Sequence, residues 1–298
     1  MKKKTGTIQV DMDGLWTNLE YYGYKSEIYP DVVFESSIPR FLDLFAKYNI
    51  RATFFLVGKD GECKNKIGLI REISKAGHEI ANHSYSHRFG FRKLSSGEKL
   101  WEISKGEEVI RKITGKRPLG FKAPGFDLDG EILKILEERG YLYDSSIIPT
   151  PFYPLILRIN RLFSGGEKRT YGPGHSWVFA PHRPYHPSPD KIVKEGEMQL
   201  REVPCSVMPW LRVPFHPTFA AKFGRSYFNF AYQMNSQFSP YLNYAFHAAD
   251  LSDDLTDSRL GHLSKISFQK RFPLCEKIIG KISHDYEIVT TQDFAEVI

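Results

Sequence analysis

Short β-prone runs alternate with amphipathic helical patterns in the first half of the chain, and this alternation is the feature that most restricts the fold. Runs at 7–10 and 52–57 are each followed by apolar residues at helical spacing. The second run is continuously apolar, as expected of a strand buried on both faces. Strands that alternate with helices at this spacing predict parallel βα units. The pattern alone leaves an open doubly wound sheet and a barrel as alternatives.

Capping residues and glycines bound four predicted helices. Ser37 is expected to cap the first helix, with Pro39 in its first turn. Ser95 and Glu98 have the spacing of a capping box for the third helix, and Asp129 is expected to cap the fourth. Glycine, which adopts the left-handed conformation at helix ends, closes the last three at Gly77, Gly115 and Gly140.

Composition indicates an ordinary globular protein. The 298 residues are enough for a full core, and 41% hydrophobic with 26% charged residues is typical of a soluble chain. The net charge of +6 admits an anionic partner, but the basic residues are scattered, so no nucleic acid is expected. Three widely spaced cysteines predict neither a disulfide framework nor a metal finger. With no signal-like segment and no apolar window of about 18 residues, a cytoplasmic location is expected.

The segment at about 145–240 is dense in proline, glycine and aromatic residues. Such stretches are poor helices, so this segment is predicted to form long loops across one end of the scaffold. Within it, residues 154–163 are apolar with two cations and are expected to rest on an anionic membrane surface, or else to pack as a helix over the barrel mouth.

Two aspartates follow the first strand-like run. Asp11 and Asp13 alternate along an extended segment, so their side chains are expected to point the same way. Two carboxylates on one face repel each other unless a cation or a shared proton intervenes. The alternative is a solvated turn, because aspartate before a glycine such as Gly14 is common at turns.

Histidines supply two further candidate sites. His83 and His87 would share one face of a helical turn, close enough to bind one Zn²⁺. With one carboxylate they form a ligand set that leaves positions open for water and substrate, as in catalytic sites; alone, they also fit a polar surface. His247 ends the apolar run at 242–246 and is either a general acid or an edge residue.

Together these motifs resemble the polysaccharide deacetylase family, the NodB-type carbohydrate esterases of family 4. The matching elements are Asp11-Met12-Asp13-Gly14 for Asp-Asp-Gly, His83 to His87 for His-Ser/Thr-x-x-His, 52–55 for the second strand, Lys122 to Phe126 for Arg-x-Pro, and His247 for Leu-x-x-His. The resemblance implies a distorted (β/α) barrel of about seven parallel strands with long loops over its C-terminal face. It further implies one NodB homology domain over 1–298, with the loop-rich insertion at about 145–240.

The resemblance also implies a role for each matching residue. Asp13, His83 and His87 would hold a divalent metal, with Zn²⁺ expected and Co²⁺, Fe²⁺ or Mn²⁺ as alternatives. Asp11 would be the general base and His247 the general acid. The backbone N–H near Gly125 would help to hold the oxyanion, and Asp144 resembles the acidic residue that tunes the histidine.

Two departures from the family pattern bear on these roles. Lys122 stands where most members have an arginine that orients the base, and lysine lacks the bidentate fork. The extra residue between Asp11 and Asp13 leaves open which of them is base and which is ligand, although the following Gly14 favours Asp13 as ligand.

The function implied is hydrolysis of an N-acetyl or N-formyl group on an amino sugar. A sugar linked to a lipid or nucleotide is expected, with the protein cytoplasmic and peripheral to the inner face of the membrane. The alternatives are a hydrolase of small non-sugar amides such as ureides and a non-catalytic carbohydrate-binding relative. The oligomeric state is left open.

Overall fold

The computed structural model describes residues 3–21, 23–152, 177, 179–255 and 266–297. One sheet carries every named strand of this part of the chain. The strands are β1 Lys4–Asp11, β2 Thr53–Leu56, β3 Glu79–Asn82, β4 Gly120–Phe121, β5 Tyr143–Asp144, β6 Arg201–Glu202, β7 Leu242–His247 and β8 Tyr286–Val289. The α-helices are α1 Leu15–Tyr21, α2 Val32–Lys47, α3 Gly58–Glu62, α4 Lys64–Lys75, α5 Ser96–Thr114, α6 Gly130–Glu138, α7 Pro217–Phe223, α8 Arg225–Phe238, α9 Phe268–Asp285 and α10 Thr291–Val297.

The sheet is parallel and curls toward closure. Seven strands run in the order β6-β5-β4-β3-β2-β1-β7, and β8 also pairs with β1. The chain that leaves β6 reaches β7, where the Ser206 backbone N donates to the Asn243 carbonyl at 3.0 Å. The Asn243 amide donates to the Val203 carbonyl at 3.0 Å. The prediction of a distorted (β/α) barrel with about seven parallel strands is confirmed.

Helix α2 begins earlier than predicted. Its cap is Asp31, whose side chain accepts the Phe34 backbone N–H at 3.0 Å, so the prediction of a cap at Ser37 was wrong. Ser37 and Pro39 lie inside the helix. The physical reason is burial: Phe34 belongs to the same apolar face as Phe41 and is fully buried against the sheet, which extends the helix upstream.

Two other predicted helix starts are confirmed. Ser95 and Glu98 form a complete capping box at the start of α5, and Asp129 accepts the Ile132 backbone N–H at 2.9 Å at the start of α6. Helix α5 ends at Gly115, whose φ of 73° lies in the left-handed region. Gly115 thus ends α5 shortly before β4 begins at Gly120.

The segment at 145–240 contains regular structure that the composition did not predict. Helices α7 and α8 occupy 217–238, so the prediction of long loops was wrong for those residues. Helix α8 buries residues at helical spacing, namely Phe228, Ala231, Tyr232 and Asn235. The segment 154–163, predicted to contact a membrane, lies outside the described residues. Among the described helices, none is long and apolar enough to cross a bilayer.

Candidate metal centre and active site

The carboxyl ends of several strands meet around one cavity. Asp11 ends β1, His247 ends β7, and the two residues are paired in register. His83 follows β3 and Lys122 follows β4. The cavity has a volume of about 130 Å³ and is lined by Asp11, Asp13, Thr17, Asn18, Tyr21, His83, His87, Phe89, Lys122, Ala123, Gly125, Phe126 and His247. The structure therefore brings together six of the seven predicted side chains, at the face where parallel barrels place their active sites.

Asp13, His83 and His87 form a compact cluster of potential metal ligands. One ligand atom from each lies within 4.8 Å of the others. Asp13 Oδ1 is 3.4 Å from His83 Nε2 and 3.2 Å from His87 Nε2. Ligands that lie 2.0–2.1 Å from a tetrahedral Zn²⁺ are separated by about 3.3 Å. The spacing of this cluster therefore fits a single divalent ion.

Unsatisfied polar atoms support the same fit. Asp13 Oδ1 and both ring nitrogens of His87 are buried without a hydrogen-bond partner, which is costly unless a further group binds them. The His83 Nδ1 donates to the Lys122 carbonyl at 2.7 Å. In the neutral ring this leaves the lone pair on Nε2, which faces Asp13, and such an outer hydrogen bond is usual for a metal-binding histidine.

The charge state of Asp13 also suits a ligand. Burial alone would raise the pKa of this carboxyl group, but His87 and His83 overcome that penalty and hold the pKa well below its ordinary value. The carboxylate is therefore ionised near neutral pH, as metal binding requires.

The two histidines lie on a loop, so the prediction of a helical turn was wrong. Ser84 and His87 have φ values of 60° and 52°, outside the helical region. Glu102 of α5 holds the loop by accepting the backbone N–H groups of Tyr85 and Ser86 at 3.1 and 2.8 Å. The left-handed residues turn the chain so that both imidazoles reach Asp13. Sequence reasoning missed Glu102, because a glutamate on a helix usually faces solvent.

Asp11 forms a buried ion pair apart from the ligand cluster. Lys122 Nζ lies 2.5 Å from Asp11 Oδ1, and both side chains are nearly fully buried. The Lys122 ammonium also lies 4.2 Å from the centre of the Phe55 ring. Lys122 therefore occupies the place predicted for it, beside the predicted base.

His247 faces the other oxygen of Asp11. Its Nε2 lies 3.8 Å from Asp11 Oδ2, and about a third of the side chain is exposed. Its backbone N–H donates to Asp250 Oδ2 at 2.8 Å. Neighbouring His216 stays neutral, because burial and the nearby His247 lower its pKa to about 3.

The prediction that Asp144 tunes His247 was wrong, because Asp144 is not among the residues that line the cavity. Asp144 accepts the Ser146 backbone N–H at 2.9 Å and the Ser146 hydroxyl at 2.7 Å. It is also paired in register with Glu202, and burial together with Asp144 raises the pKa of Glu202 well above its ordinary value. Ser146 in turn accepts the Ala123 backbone N–H at 2.8 Å, so Asp144 supports the loop after Lys122. The carboxyl groups beside His247 are those of Asp11, at its ring, and Asp250, at its backbone N–H.

A buried charge cluster supports the loop that carries Asp13. Lys66 Nζ lies 2.6 Å from Asp31 and 2.6 Å from Asp60, and the three side chains are essentially inaccessible to solvent. Asp31 also accepts the Leu15 backbone N–H at 2.9 Å. Gly14 leaves room for this contact, since a Cβ there would lie 2.1 Å from Asp31 Oδ2. Sequence reasoning missed this cluster because Asp31 lies 35 residues before Lys66, and the six-residue spacing of Asp60 and Lys66 matches no motif.

Comparisons with known proteins agree with this picture. Residues 27–143 match the family described as polysaccharide deacetylase. A peptidoglycan deacetylase of Helicobacter pylori is 32% identical over 161 residues, which cover 52% of this chain and 53% of that protein. A peptidoglycan-N-acetylglucosamine deacetylase of Bacillus cereus is 30% identical over 151 residues, which cover 45% and 53%. The chain thus spans about half the length of these relatives.

A solved structure shows the same fold. The crystal structure of a putative polysaccharide deacetylase from Mycobacterium smegmatis superposes with a TM-score of 0.61 at 18% identity, covering 100% of this chain and 91% of that one. The family match includes His83, His87 and Lys122 but ends before His247 and begins after Asp13. Asp11, Asp13 and His247 lie outside this match, and the cavity brings them together with the three matched residues.

Proposed function

We propose, from the match of residues 27–143 to the polysaccharide deacetylase family, that this chain is a metal-dependent hydrolase that removes an N-acetyl or N-formyl group from an amino sugar. The observation that carries the proposal is the convergence of Asp13, His83 and His87 beside the ion pair of Asp11 and Lys122. The printed names of the bacterial relatives, peptidoglycan deacetylase and peptidoglycan-N-acetylglucosamine deacetylase, support an N-acetylated sugar as the substrate class.

In this proposal Asp13, His83 and His87 hold one divalent cation. Two imidazoles and one carboxylate leave coordination positions open, which is typical of catalytic Zn²⁺ sites, and the same donors accept Co²⁺, Fe²⁺ or Mn²⁺. The bound cation would supply Lewis acidity, which polarises the acyl carbonyl and makes water more acidic.

The other residues of the cavity supply the proton transfers. Asp11 takes the proton from the attacking water, while Lys122 fixes the orientation of its carboxylate. The backbone N–H near Gly125, at the wall of the cavity, donates to the developing oxyanion. His247 then protonates the departing amine. Without that proton the tetrahedral intermediate would expel water again instead of nitrogen.

Replacement of Asp11 by asparagine separates the proposed base from the proposed ligands. The Asp11→Asn variant is expected to retain the metal, because Asp13 and both histidines are unchanged, but to lose nearly all turnover. Metal content measured by emission spectrometry and acetate release provide the two readouts. Undiminished turnover with normal metal content would refute the role of Asp11.

The substrate is proposed to be a lipid- or nucleotide-linked glycan, handled in the cytoplasm at the inner face of the membrane. Three unpaired cysteines, Cys63, Cys205 and Cys275, support a reducing compartment. A panel of N-acetylated and N-formylated sugars, free and lipid- or nucleotide-linked, with small ureides as controls, tests the substrate class. Release of acetate or formate only from the sugars supports the proposal, and activity confined to ureides would overturn it.

A further inference from the structure

Large apolar side chains are exposed along one side of the barrel. Trp210, Leu211, Phe223, Phe230 and Phe238 are 70, 56, 55, 54 and 44% exposed. These five residues are called the aromatic ridge below. Contiguous exposed apolar surface is costly in water and marks an interaction site when several such residues adjoin.

Helix α8 supplies the length of the ridge. Tyr227, Phe230, Met234 and Phe238 recur at a spacing of three and four residues, so they form one stripe beside the buried face of the helix. At the start of the stripe, the Tyr227 ring lies 5.3 Å from the ring of Phe223, the last residue of α7. The stripe therefore spans about three turns of helix.

A tight turn supplies the far end of the ridge. The Trp210 ring centre lies 4.3 Å from that of Phe238. The Arg212 backbone N–H donates to the Met208 carbonyl at 2.8 Å and so closes the turn. Within the turn, Trp210 adopts a φ of 60°. A non-glycine residue in this conformation is held there by its surroundings, which here present Trp210 and Leu211 together to solvent.

The chain segment that carries the ridge bears charge of one sign. Residues 203–249 contain no aspartate or glutamate, and their three cations are Arg212, Lys222 and Arg225. Lys222 lies 5.5 Å from the Phe223 ring centre, and Lys4 Nζ contacts the Ser239 carbonyl at 3.2 Å just past α8. The acidic residue beneath the helix, Asp285, already accepts the Tyr232 hydroxyl and pairs with Lys281 and His284.

We propose that the aromatic ridge docks on an anionic lipid surface. Tryptophan, phenylalanine and leucine insert their apolar bodies at the boundary between head groups and acyl chains, while adjoining cations attract anionic head groups. A second copy of the chain fits less well, because two such ridges would bring like charges together with no carboxylate to pair them. The proposal depends neither on the catalytic function nor on residues 154–163.

Co-sedimentation of the full chain with lipid vesicles tests the proposal. The vesicles are phosphatidylcholine alone, or phosphatidylcholine mixed with phosphatidylglycerol. The double variant Trp210→Ser with Phe230→Ser is expected to lower partitioning onto the anionic vesicles at least about tenfold, because each large side chain contributes substantially when buried. Replacing Lys222 or Arg225 by glutamine is expected to lower it about fivefold each at low salt.

A matched control lies on another helix. Leu100 and Trp101 of α5 are 43 and 53% exposed, so Leu100→Ser with Trp101→Ser removes similar apolar surface from a different helix. This control is expected to leave vesicle binding unchanged, and circular dichroism confirms that all variants are folded. Because only solvent-exposed side chains are altered, acyl release should be retained by the ridge variant in detergent solution.

Three outcomes would overturn the proposal. The first is the absence of binding to anionic vesicles at low salt. The second is vesicle binding that does not depend on the ridge. This would be shown if the ridge and control variants lower binding equally, or if binding is lost only when Arg158 and Arg161 of the segment 154–163 are replaced. The third is a dimer detected by light scattering without lipid that the ridge variant dissociates, which would assign the ridge to a second copy.

Discussion

The cluster of Lys66, Asp31 and Asp60 supports the loop that carries Asp13. Replacing Asp60 by asparagine tests this cluster through the pH dependence of the free energy of unfolding. Asp60 Oδ1 accepts the Lys66 ammonium at 2.6 Å and the Trp16 indole N–H at 2.8 Å, while Oδ2 is buried without a partner. Burial raises the pKa of Asp60 from 3.8 to about 6, although Lys66 opposes the shift. Asparagine keeps an acceptor for both donors but does not titrate.

The magnitude follows from linkage. Between the unfolded pKa of 3.8 and the folded pKa of about 6, the folded protein binds more protons at Asp60 than the unfolded chain does. Its contribution to stability therefore falls as pH rises through this window. A shift of about 2 units at 1.36 kcal/mol per unit corresponds to about 3 kcal/mol. Relative to the Asp60→Asn variant, the wild-type protein should lose about this much stability between about pH 4 and pH 7.

Urea unfolding of both proteins at a series of pH values provides the measurement, with chelator present so that metal binding does not add its own pH dependence. The difference between the two free energies cancels every titration that the proteins share. A difference that stays flat from pH 4 to pH 7, or that grows in favour of the wild type as pH rises, would refute the assignment of a raised pKa to Asp60.

Three further predictions concern the site itself. Glu102→Gln is expected to weaken metal binding about 10- to 100-fold, because Glu102 holds the loop that carries the two histidines. Glu108→Gln on the same helix should leave the affinity unchanged. Equal affinities of the two variants in chelator competition would contradict this prediction. Lys122→Met leaves Asp11 buried without its partner and should lower the free energy of unfolding by about 3–5 kcal/mol and abolish most of the turnover. Lys122→Arg should restore part of both, as measured by urea unfolding and acetate release. Zn²⁺ added to metal-free protein at about 1,000 times its dissociation constant should stabilise the fold by about 4 kcal/mol, and an unchanged unfolding midpoint would argue against the metal site.

The fold was predictable where one local signal determined it. The continuous apolar run around Thr53–Leu56 specified a buried strand, and Ser95 and Asp129 specified helix starts through hydrogen bonds within a few residues. The start of α2 was not predictable from Ser37, because a buried aromatic face extends the helix to Asp31. Helices α7 and α8 had a readable helical period, which the density of aromatic residues obscured.

The site was predictable for residues at strand ends and not for the residues that hold them. Parallel strands bring their carboxyl ends to one edge, so Asp11, His83, Lys122 and His247 converge even though they are remote in sequence. Glu102 and Lys66 act through contacts between helices and loops that have no sequence period. The loop conformation at Ser84 likewise depends on a tertiary contact, since Glu102 accepts the N–H groups that follow it.

The structure also bears on which of the two aspartates is suited to the proposed ligand role. Asp11 and Asp13 flank Met12, whose side chain is buried in the core, so both carboxylates face the same cavity and would repel each other if they shared one environment. The barrel gives the two carboxylates different partners. Asp11 lies against the ammonium of Lys122, with His247 at its second oxygen, while Asp13 lies between two imidazoles and retains an unsatisfied oxygen. A carboxylate already bound by a lysine is poorly placed to bind a divalent ion as well. The different surroundings of the two carboxylates therefore support the proposal that Asp13 is the ligand and Asp11 the base. In that proposal Lys122 neutralises and orients Asp11 through a single ammonium contact.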